Sequence, residues 1–592
     1  MTTLNETTSA GSETTKPGCL FIPRSYLTTE SNKTGSWRFM RPRYDEKTAP
    51  CSAACPAGED IARIEMLASQ GLFKEAWETI LMENPFPGVC GRVCFHPCES
   101  VCNRGELDQP IAIHMIERFL ADTANRYGLK PSLERQYAKE QKVAVVGAGP
   151  AGLAAAYFLA RLGYGCDIFE ARPEPGGMFR WGIPAYRMAV SSLTNEIRQI
   201  TDLGVNIHCG KPVSKDFMDQ AKGSYDAVFL GCGHWKGHEL RVPGEESPGV
   251  EDGLAFLQQV VRGEAPALSG TVAVIGGGNT AMDVARSAAR LGAKPLLIYR
   301  RRREDMPAFE DEIVMAMEEG VELMELRAPA EIRVEGDGLA LTLRHMRLKE
   351  VDEQGRGTVE PDGEKTDVVR VTRVFKAIGQ EAAEDWYNPP GNGERVLRLR
   401  NSVMVGSDGG VPVLFGGDLA TEVKSLAHAV GSGKEAAMAL DVLFREGAEA
   451  VHPTLLNCLV GKGPSLSMEI YMKGMRAQRN PHVVGYGEIN TDYFTFAPRI
   501  AQPRLLIAER IRSFSEIDLK ISANLAIREA ERCFNCGICN QCDNCRLFCP
   551  DLAVLREESY QGRRINYEYC KGCGICAEEC PRNAVSLEEE RG

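Results

Sequence analysis

Val143-Ala-Val-Val-Gly147-Ala148-Gly149-Pro150-Ala151-Gly152 is followed by an apolar run to Leu162, then by Cys166-Asp-Ile-Phe-Glu170 and Pro175-Gly176-Gly177. A short apolar strand enters a G-x-G-x-x-G turn, the turn opens a helix, and a second strand ends on an acid eighteen residues after the last glycine. Each part has a mechanical reason. Gly147 permits the tight turn, Gly149 lets backbone approach a pyrophosphate, and Gly152 lets helix and sheet pack closely. The helix start at Pro150, Ala151 and Gly152 turns free N–H groups toward phosphates, and Glu170 is placed to bind a ribose hydroxyl pair. A bare G-x-G-x-x-G is a weak signal. Here strand, helix, second strand and acid all stand in register, so the stretch reads as a dinucleotide-binding Rossmann unit.

The pattern recurs at Val272-Ala-Val-Ile-Gly276-Gly-Gly278-Asn279-Thr280-Ala281-Met-Asp283, with Ala281 in the third glycine position. The next strand, Pro295 to Tyr299, ends on Arg300-Arg301-Arg302-Arg303 instead of an acid. Basic residues there accommodate a 2′-phosphate, so Arg300 and Arg301 favour NADPH over NADH. The plainer alternative is a solvated charge run. Two units imply two dinucleotides, a bound flavin and an exchanging nicotinamide. Val374 to Gln380 returns the chain to the first unit, and Val413-Leu-Phe-Gly416-Gly417-Asp418 runs into a helix. That turn is expected to place Gly417 and Asp418 beside a flavin ribityl chain. The turn ending in Tyr186-Arg187 is the other segment assigned to the cofactor, with a plain connector as its alternative.

A chain of 592 residues is too long for one core and implies three or four domains. Hydrophobic content of 43% and charge of 25% are ordinary for a globular protein. A net charge of −12 argues against a nucleic-acid surface. No apolar run reaches a membrane span and no secretory signal is evident, so a cytoplasmic protein without membrane insertion is expected. Residues 1–18, rich in Thr, Ser and Glu, are expected to lack fixed structure.

Cysteine usage carries the most. Of 21 cysteines, six gather between residues 51 and 102, ahead of the first glycine turn (Cys51, Cys55, Cys90, Cys94, Cys98, Cys102), and ten crowd the C-terminus. In a reducing compartment such clusters point to metal. Cys539-x2-Cys542-x2-Cys545-x3-Cys549-Pro550 has the bacterial ferredoxin spacing, and Cys570-x2-Cys573-x2-Cys576-x3-Cys580-Pro581 repeats it. In that arrangement the fourth cysteine of each run serves the other [4Fe–4S] cluster. The expected sets are therefore Cys539, Cys542, Cys545, Cys580 and Cys570, Cys573, Cys576, Cys549, with paired zinc knuckles as the alternative. The x3-Cys-Pro ends define the frame, leaving Cys533 and Cys536 as spare thiols. Six N-terminal thiolates suffice for one cluster with two left over. His96 and His114 are conceivable further ligands, although packed or exposed histidines are the plainer reading. Cys166, Cys209 and Cys232 read as isolated core thiols, and no cysteine pair stands near the first turn for disulfide-reductase chemistry.

Gly-Arg-Val-Cys94 with Cys98 and Cys102, both glycine turns, Gly176-Gly177, Gly-Ile-Pro184, Tyr299-Arg-Arg with Met306-Pro307, and Gly-Gly-Asp418 together carry a resemblance. The chain resembles the small, NAD(P)H-oxidising flavoprotein subunit of bacterial glutamate synthase, and the same module of dihydropyrimidine dehydrogenase, over about residues 48–445. The resemblance implies FAD in the first unit, NAD(P)H in the second, and two [4Fe–4S] clusters in a preceding helical domain. Two further cysteines of that pattern are missing from Trp37 to Pro50, whereas Cys90 is additional. Glu117 matches a glutamine ligand of the dehydrogenase. The resemblance thus supports one cluster on Cys55, Cys94, Cys98 and Glu117, and leaves Cys51 and Cys102 with Cys90 as a substitute. The ferredoxin tail departs from the ordinary small subunit. Flavoproteins combining both parts resemble electron-input subunits of larger complexes, including 2-oxoacid:acceptor oxidoreductases of the phenylglyoxylate dehydrogenase kind.

The expected fold class is α/β: two nested Rossmann-like domains, preceded by a helical Fe–S domain and followed by a bacterial ferredoxin-like α+β domain. The expected boundaries are an N-terminal extension (1–47), the helical Fe–S domain (48–140), an FAD domain in two pieces (141–265 and 370–447) around the NAD(P)H domain (266–369), a linker (448–530), and the ferredoxin domain (531–592). The expected function is electron transfer between NAD(P)H, FAD, the clusters and a partner catalytic subunit, with no catalytic acid or base. Alternatives are a glutamate synthase small subunit, a self-contained reductase of a small substrate, and a structural iron–sulfur scaffold.

Overall fold

The computed structural model describes residues 31–590, save 352–354, 356, 392, 394, 407–409 and 558–562. The stretch 1–18, for which no fixed structure is expected, lies outside the described residues. At the centre stands the strand Lys142–Val146, parallel to Gly165–Glu170 on one side and Ala227–Leu230 on the other. Asn206–Cys209 extends the sheet one way. The returning strand Val413–Phe415 extends it the other way, with Val403–Val405 and Val396–Arg398 antiparallel beyond it. Val143, Ala144 and Val145 are fully buried, which is the continuous apolar run that a sheet covered on both faces requires.

The helix Pro150–Arg161 follows the first turn, and the long helix Leu426–Glu446 packs across it. Glycine sets the approach. A Cβ on Gly433 would lie 2.3 Å from the Ala151 carbonyl oxygen, and one on Gly431 would lie 2.3 Å from that of Pro56.

Between the two pieces of this sheet the chain builds a second one. Its five strands are all parallel, in the order Glu322–Met324, Lys294–Ile298, Thr271–Ile275, Arg373–Lys376, Val250–Asp252. The nesting is the expected one, because Val374 and its neighbours close the inserted sheet before Val413 rejoins the first. Ahead of both lie helices Pro50–Ala54, Ile61–Ser69, Phe73–Leu81, Pro87–Val93, Pro97–Ser100 and Ile113–Tyr127. Trp77, Ile80, Phe86, Val89 and Ile116 fill their core.

Residues 448–530, expected as a linker, include a helix at Ala448–Leu456, and Val451, Leu455, Met468 and Val484 join the main core. One buried carboxylate ties this segment down. Glu83 pairs with Lys434 Nζ (2.6 Å) and accepts from Ser467 Oγ (2.6 Å) and the Met468 N–H (2.8 Å). Lys434 has no exposed surface. Removing Glu83 leaves that ammonium buried without a counter-charge, so Glu83→Ala is expected to cost about 3–5 kcal/mol in a denaturant melt. Replacing both partners by apolar residues is expected to cost much less.

The chain divides into two compact units, 1–43 with 543–579 and 587–592, and 44–542 with 580–586. The smaller holds a short antiparallel pair, Val554–Arg556 with Arg563–Ile565. Within it, Arg38 donates to the carbonyls of Tyr567 (2.7 Å) and Cys570 (2.9 Å) and pairs with Glu590 (2.6 Å). Residues 531–542 and 580–586, expected in the ferredoxin domain, group with the larger unit. Arg532, Phe534 and Asn535 are buried in it. Among the described residues no helix is long and apolar enough to cross a membrane.

Candidate functional site

Both glycine turns open onto one cavity of about 560 Å³. From the first unit come Gly147, Gly149, Pro150, Ala151, Glu170 and Gly177; from the second come Asn279, Thr280 and Asp283; Gly417 and Asp418 close it. Glu170 is held rigidly. Its Oε2 accepts the Ala148 N–H (2.7 Å) and its Oε1 the Arg172 N–H (2.9 Å). A Cβ on Gly177 would lie 2.6 Å from the Gly149 Cα, and one on Gly152 would lie 1.9 Å from the Gly147 oxygen. Gly152 and Gly176 therefore shape the turn without lining the cavity. Gly417, in the left-handed region at φ 61°, donates its N–H to Ser432 Oγ (2.7 Å). Burial raises the Asp418 carboxyl, opposed by His234 and Lys424.

Two residues assigned to the cofactor engage one another. Arg187 pairs with Asp283 (2.9 Å) and Glu312 (3.1 Å), and both Arg187 and Asp283 line the cavity. Burial pushes Asp283 up to about 6 against that pull. Asn279 Oδ1 accepts the Phe309 N–H (3.1 Å), bringing an unforeseen aromatic ring to the cavity wall. Cys232, read as a core thiol, also lines the cavity, and burial pushes it up to about 12.

Gly276, Gly278, Arg300 and Arg301 are not among the residues that line this cavity. Arg302 pairs with Asp305 (2.9 Å) and Arg303 with Glu310. Among the described residues neither Arg300 nor Arg301 meets a carboxylate, and the buried Arg301 Nε has no hydrogen-bond partner. Tyr299 is occupied structurally, donating to the Asp305 carbonyl (2.8 Å).

Val93 and Phe95 line the same cavity, on either side of Cys94. Phe95 stacks on Phe309 at 6.4 Å and on His428 at 5.9 Å. Cys55, Cys90, Cys94 and Cys98 gather here: Cys98 faces Cys55 and Cys94, and Cys90 faces Cys94. Burial pushes Cys94 up to about 12, and N–H groups of Phe95 and His96 donate to its sulfur. Glu117 stands beside Cys90 and Cys55, accepting from Asn84 Nδ2 (3.3 Å) and coupled to Glu59. Cys90, named above as a substitute beside Cys51 and Cys102, faces Cys94 and Glu117. Cys51 and Cys102 instead face Cys533 and Cys536, the two thiols expected to be spare. His96 and His114 stack at 4.3 Å, with Glu99 2.7 Å from His114 Nδ1. Glu99 also pairs with Arg499 (2.6 Å), His96 Nε2 is buried without a hydrogen-bond partner, and one polar atom each of His96, Glu99 and His114 lie within 4.8 Å of one another, with no cysteine among them.

In the smaller unit a cavity of about 20 Å³ is lined by Cys549, Cys570, Cys573 and Cys576, and Cys545 also faces Cys576. In the larger, Cys539, Cys542 and Cys580 face Arg582. Among the described residues no three of the cysteine sulfurs lie within 4.8 Å of one another. The all-cysteine donor sets in the ferredoxin runs fit four-iron clusters.

Known proteins match this arrangement. A model described as pyridine nucleotide-disulphide oxidoreductase matches residues 141–433. One for dihydropyrimidine dehydrogenase domain II, 4Fe-4S cluster, matches 44–129, and a 4Fe-4S binding domain matches 563–586. The NADP(+)-dependent formate dehydrogenase subunit beta of Moorella thermoacetica is 34% identical over 83% of this chain and 70% of its own length. The NADPH-Fe(3+) oxidoreductase subunit beta of Geobacter sulfurreducens is 37% identical over 60% of this chain and 54% of its own length. The glutamate synthase [NADPH] small chain of Halomonas elongata is 34% identical over 58% and 75%. FAD, NAD(P)H and [4Fe–4S] clusters at both ends are thereby borne out as the cofactors of the chain's domains.

Proposed function

We propose, from the premise that the chain belongs to the pyridine nucleotide-disulphide oxidoreductase family in its iron–sulfur-bearing form, that it is the electron-input subunit of a larger cytoplasmic complex. It takes reducing equivalents from NADPH and delivers single electrons to a partner catalytic subunit. The observation that carries this reading is the shared cavity: the first glycine turn, the helix start after the second (Asn279, Thr280) and the residues flanking Cys94 line one space.

The flavin, when bound, supplies the conversion of a hydride pair into single electrons. The chain's residues do the rest. Gly149 and the helix start at Ala151 receive a pyrophosphate, and Glu170 holds the ribose. Gly417 and Asp418 border the middle of the cofactor. Asn279 and Thr280 bring the second nucleotide to the same space. Phe95 and Phe309 stack in the cavity wall, and Cys94 precedes Phe95 in the chain. Cys55, Cys90, Cys94 and Cys98 hold the first cluster. Arg301, with its unpartnered Nε, receives a 2′-phosphate; relatives named for NADP(+) and NADPH support the same nucleotide.

Anaerobic NADPH is expected to bleach both flavin and cluster absorbance of the isolated chain, with turnover only when an artificial acceptor is added. Turnover of a small organic substrate by the chain alone would reject the subunit reading. Co-purification from the native source identifies the partner. A thiamine-dependent 2-oxoacid oxidoreductase, a formate dehydrogenase catalytic subunit and an amidotransferase large subunit are the candidates.

A further inference from the structure

We propose that Cys51, Cys102, Cys533 and Cys536 together hold a [4Fe–4S] cluster, the C-terminal segment supplying two thiolates that the N-terminal domain lacks. This site goes beyond the electron-input reading and is tested without it, since iron and spectra report it whatever the partner.

The N-terminal domain by itself leaves a deficit. With Cys90 and Glu117 beside Cys94, the set of Cys55, Cys94 and Cys98 has its fourth donor, and Cys51 and Cys102 are two ligands short. No cysteine precedes Cys51 between Trp37 and Pro50. The fold makes up the difference from more than four hundred residues away. Cys51 faces Cys102, Cys533 and Cys536; Cys533 faces Cys536 and Cys102; Cys536 faces Cys102. Cys51, Cys533 and Cys536 are buried and Cys102 is half-buried.

The segment bearing Cys533 is bolted in place. Arg104 donates to the Arg532 carbonyl (3.0 Å), and Arg532 pairs with Asp108 (2.9 Å) and donates to the Gln109 carbonyl (2.6 Å). Arg104 also lies over the Phe534 ring at 5.1 Å. Asn535 Nδ2 donates to the Ala62 carbonyl (2.9 Å), on the helix that follows Cys51 and Cys55. These contacts hold the loop after Cys102 against the loop after Arg532.

The sulfurs are dressed as ligands. The Asn535 N–H donates to Cys533 Sγ (3.3 Å), and Asn103 Nδ2 donates to Cys536 Sγ (3.4 Å). Ala553 N–H to Cys549 Sγ and Ala584 N–H to Cys580 Sγ, both 3.3 Å, repeat this pattern in the two ferredoxin runs. A neutral thiol is a weak acceptor, whereas a metal-bound thiolate takes such bonds and its cluster's potential is tuned by them. Between the two cysteines Asn535 adopts the left-handed conformation (φ 49°), turning the loop around its own sulfur.

A separate observation points to a missing partner. Glu65 is 1% exposed, neither carboxylate oxygen has a hydrogen-bond partner, and it neighbours Cys51, Cys102 and Cys533. A buried carboxyl with nothing to bond is costly, and a cluster sulfur would accept its proton. The four cysteines are free and do not form disulfides.

The placement links the cavity to the C-terminus. Cys51 and Cys55 lie one helical turn apart, so the two N-terminal sites are neighbours, and Cys536 precedes Cys539 by three residues.

The test uses the full chain, reconstituted anaerobically, in four forms: Cys51→Ser, Cys536→Ser, the two combined, and Cys458→Ser as an isolated buried thiol. Each of the first two is expected to lose about four iron atoms per chain and the same electron paramagnetic resonance signal. The double variant is expected to lose no more than either single, and Cys458→Ser to lose none. Unchanged iron in Cys536→Ser overturns the proposal. Losses that add to about eight iron atoms in the double variant also overturn it, because they place the two thiols in different clusters. FAD content checks the fold. If a serine variant loses flavin as well, Asn103→Ala decides. Removing its N–H···S bond is expected to shift to lower potential the signal that Cys51→Ser removes, and a signal left unmoved rejects the site.

Discussion

The Gly149→Val chain is expected to fold and to purify without flavin. A Cβ at position 149 would meet the protein no closer than 3.8 Å, at the Gly177 Cα, and the backbone there (φ −83°, ψ −175°) is open to any residue. The protein therefore does not need this glycine; the pyrophosphate does. Two valine methyls would occupy the space at the head of the helix where a phosphate must approach the N–H groups. Flavin absorbance after desalting is the readout, and full occupancy would sink the assignment of the first turn. Gly152→Ala is the contrasting variant. Its Cβ would sit 1.9 Å from the Gly147 oxygen, so it is expected to damage the turn itself and lower folded yield. An apo Gly149→Val chain should also melt below wild type, by about 4 kcal/mol of lost binding at free FAD a thousandfold above Kd.

Arg301→Ala is expected to weaken NADPH and spare NADH. Of the four arginines after Tyr299, Arg302 and Arg303 are committed to Asp305 and Glu310, whereas Arg301 has a buried Nε without a partner. A charge-assisted hydrogen bond to a 2′-phosphate contributes about 1.5–3 kcal/mol, which is about 10- to 150-fold in affinity. Flavin reduction rates over a concentration series of each nucleotide measure the ratio. Equal losses for both would mean that the arginine shapes the site without reading the phosphate. A wild-type preference for NADH would reject the NADPH reading and leave the flavin assignment standing. Arg302→Ala is expected to affect both nucleotides alike, because Arg302 braces Asp305, which in turn accepts the Gly357 N–H (2.6 Å).

Much of this protein was legible because its signals are local. Each glycine turn lies within one strand–turn–helix unit, where steric need and residue type stand side by side in the chain. The nesting of one sheet in the other followed from where the apolar strands resume after Gln380. Less legible were readings that depend on company. Arg187, assigned to a cofactor, lines the cavity and is paired there with Asp283. Cys232 was a core thiol by its apolar strand and lies in the cavity wall. Phe95 and Phe309 had no sequence signal beyond being aromatic, because their role comes from two segments meeting across about two hundred residues.

The cysteines divide along the same line. Spacing alone determined the two C-terminal runs, since the separations x2, x2 and x3 let short loops wrap a cluster. Spacing also flagged the deficit beside Cys51, since residues 37–50 carry no cysteine. It could not say where the missing ligands are, and its frame left Cys533 and Cys536 without a role although they continue the three-residue rhythm. Only the tertiary structure decided that. Arg104, Asp108 and Arg532 fasten two loops far apart in sequence, and thiols four hundred residues apart come to face one another. A ligand set is a property of space, and the sequence carries it only when one short loop supplies every donor.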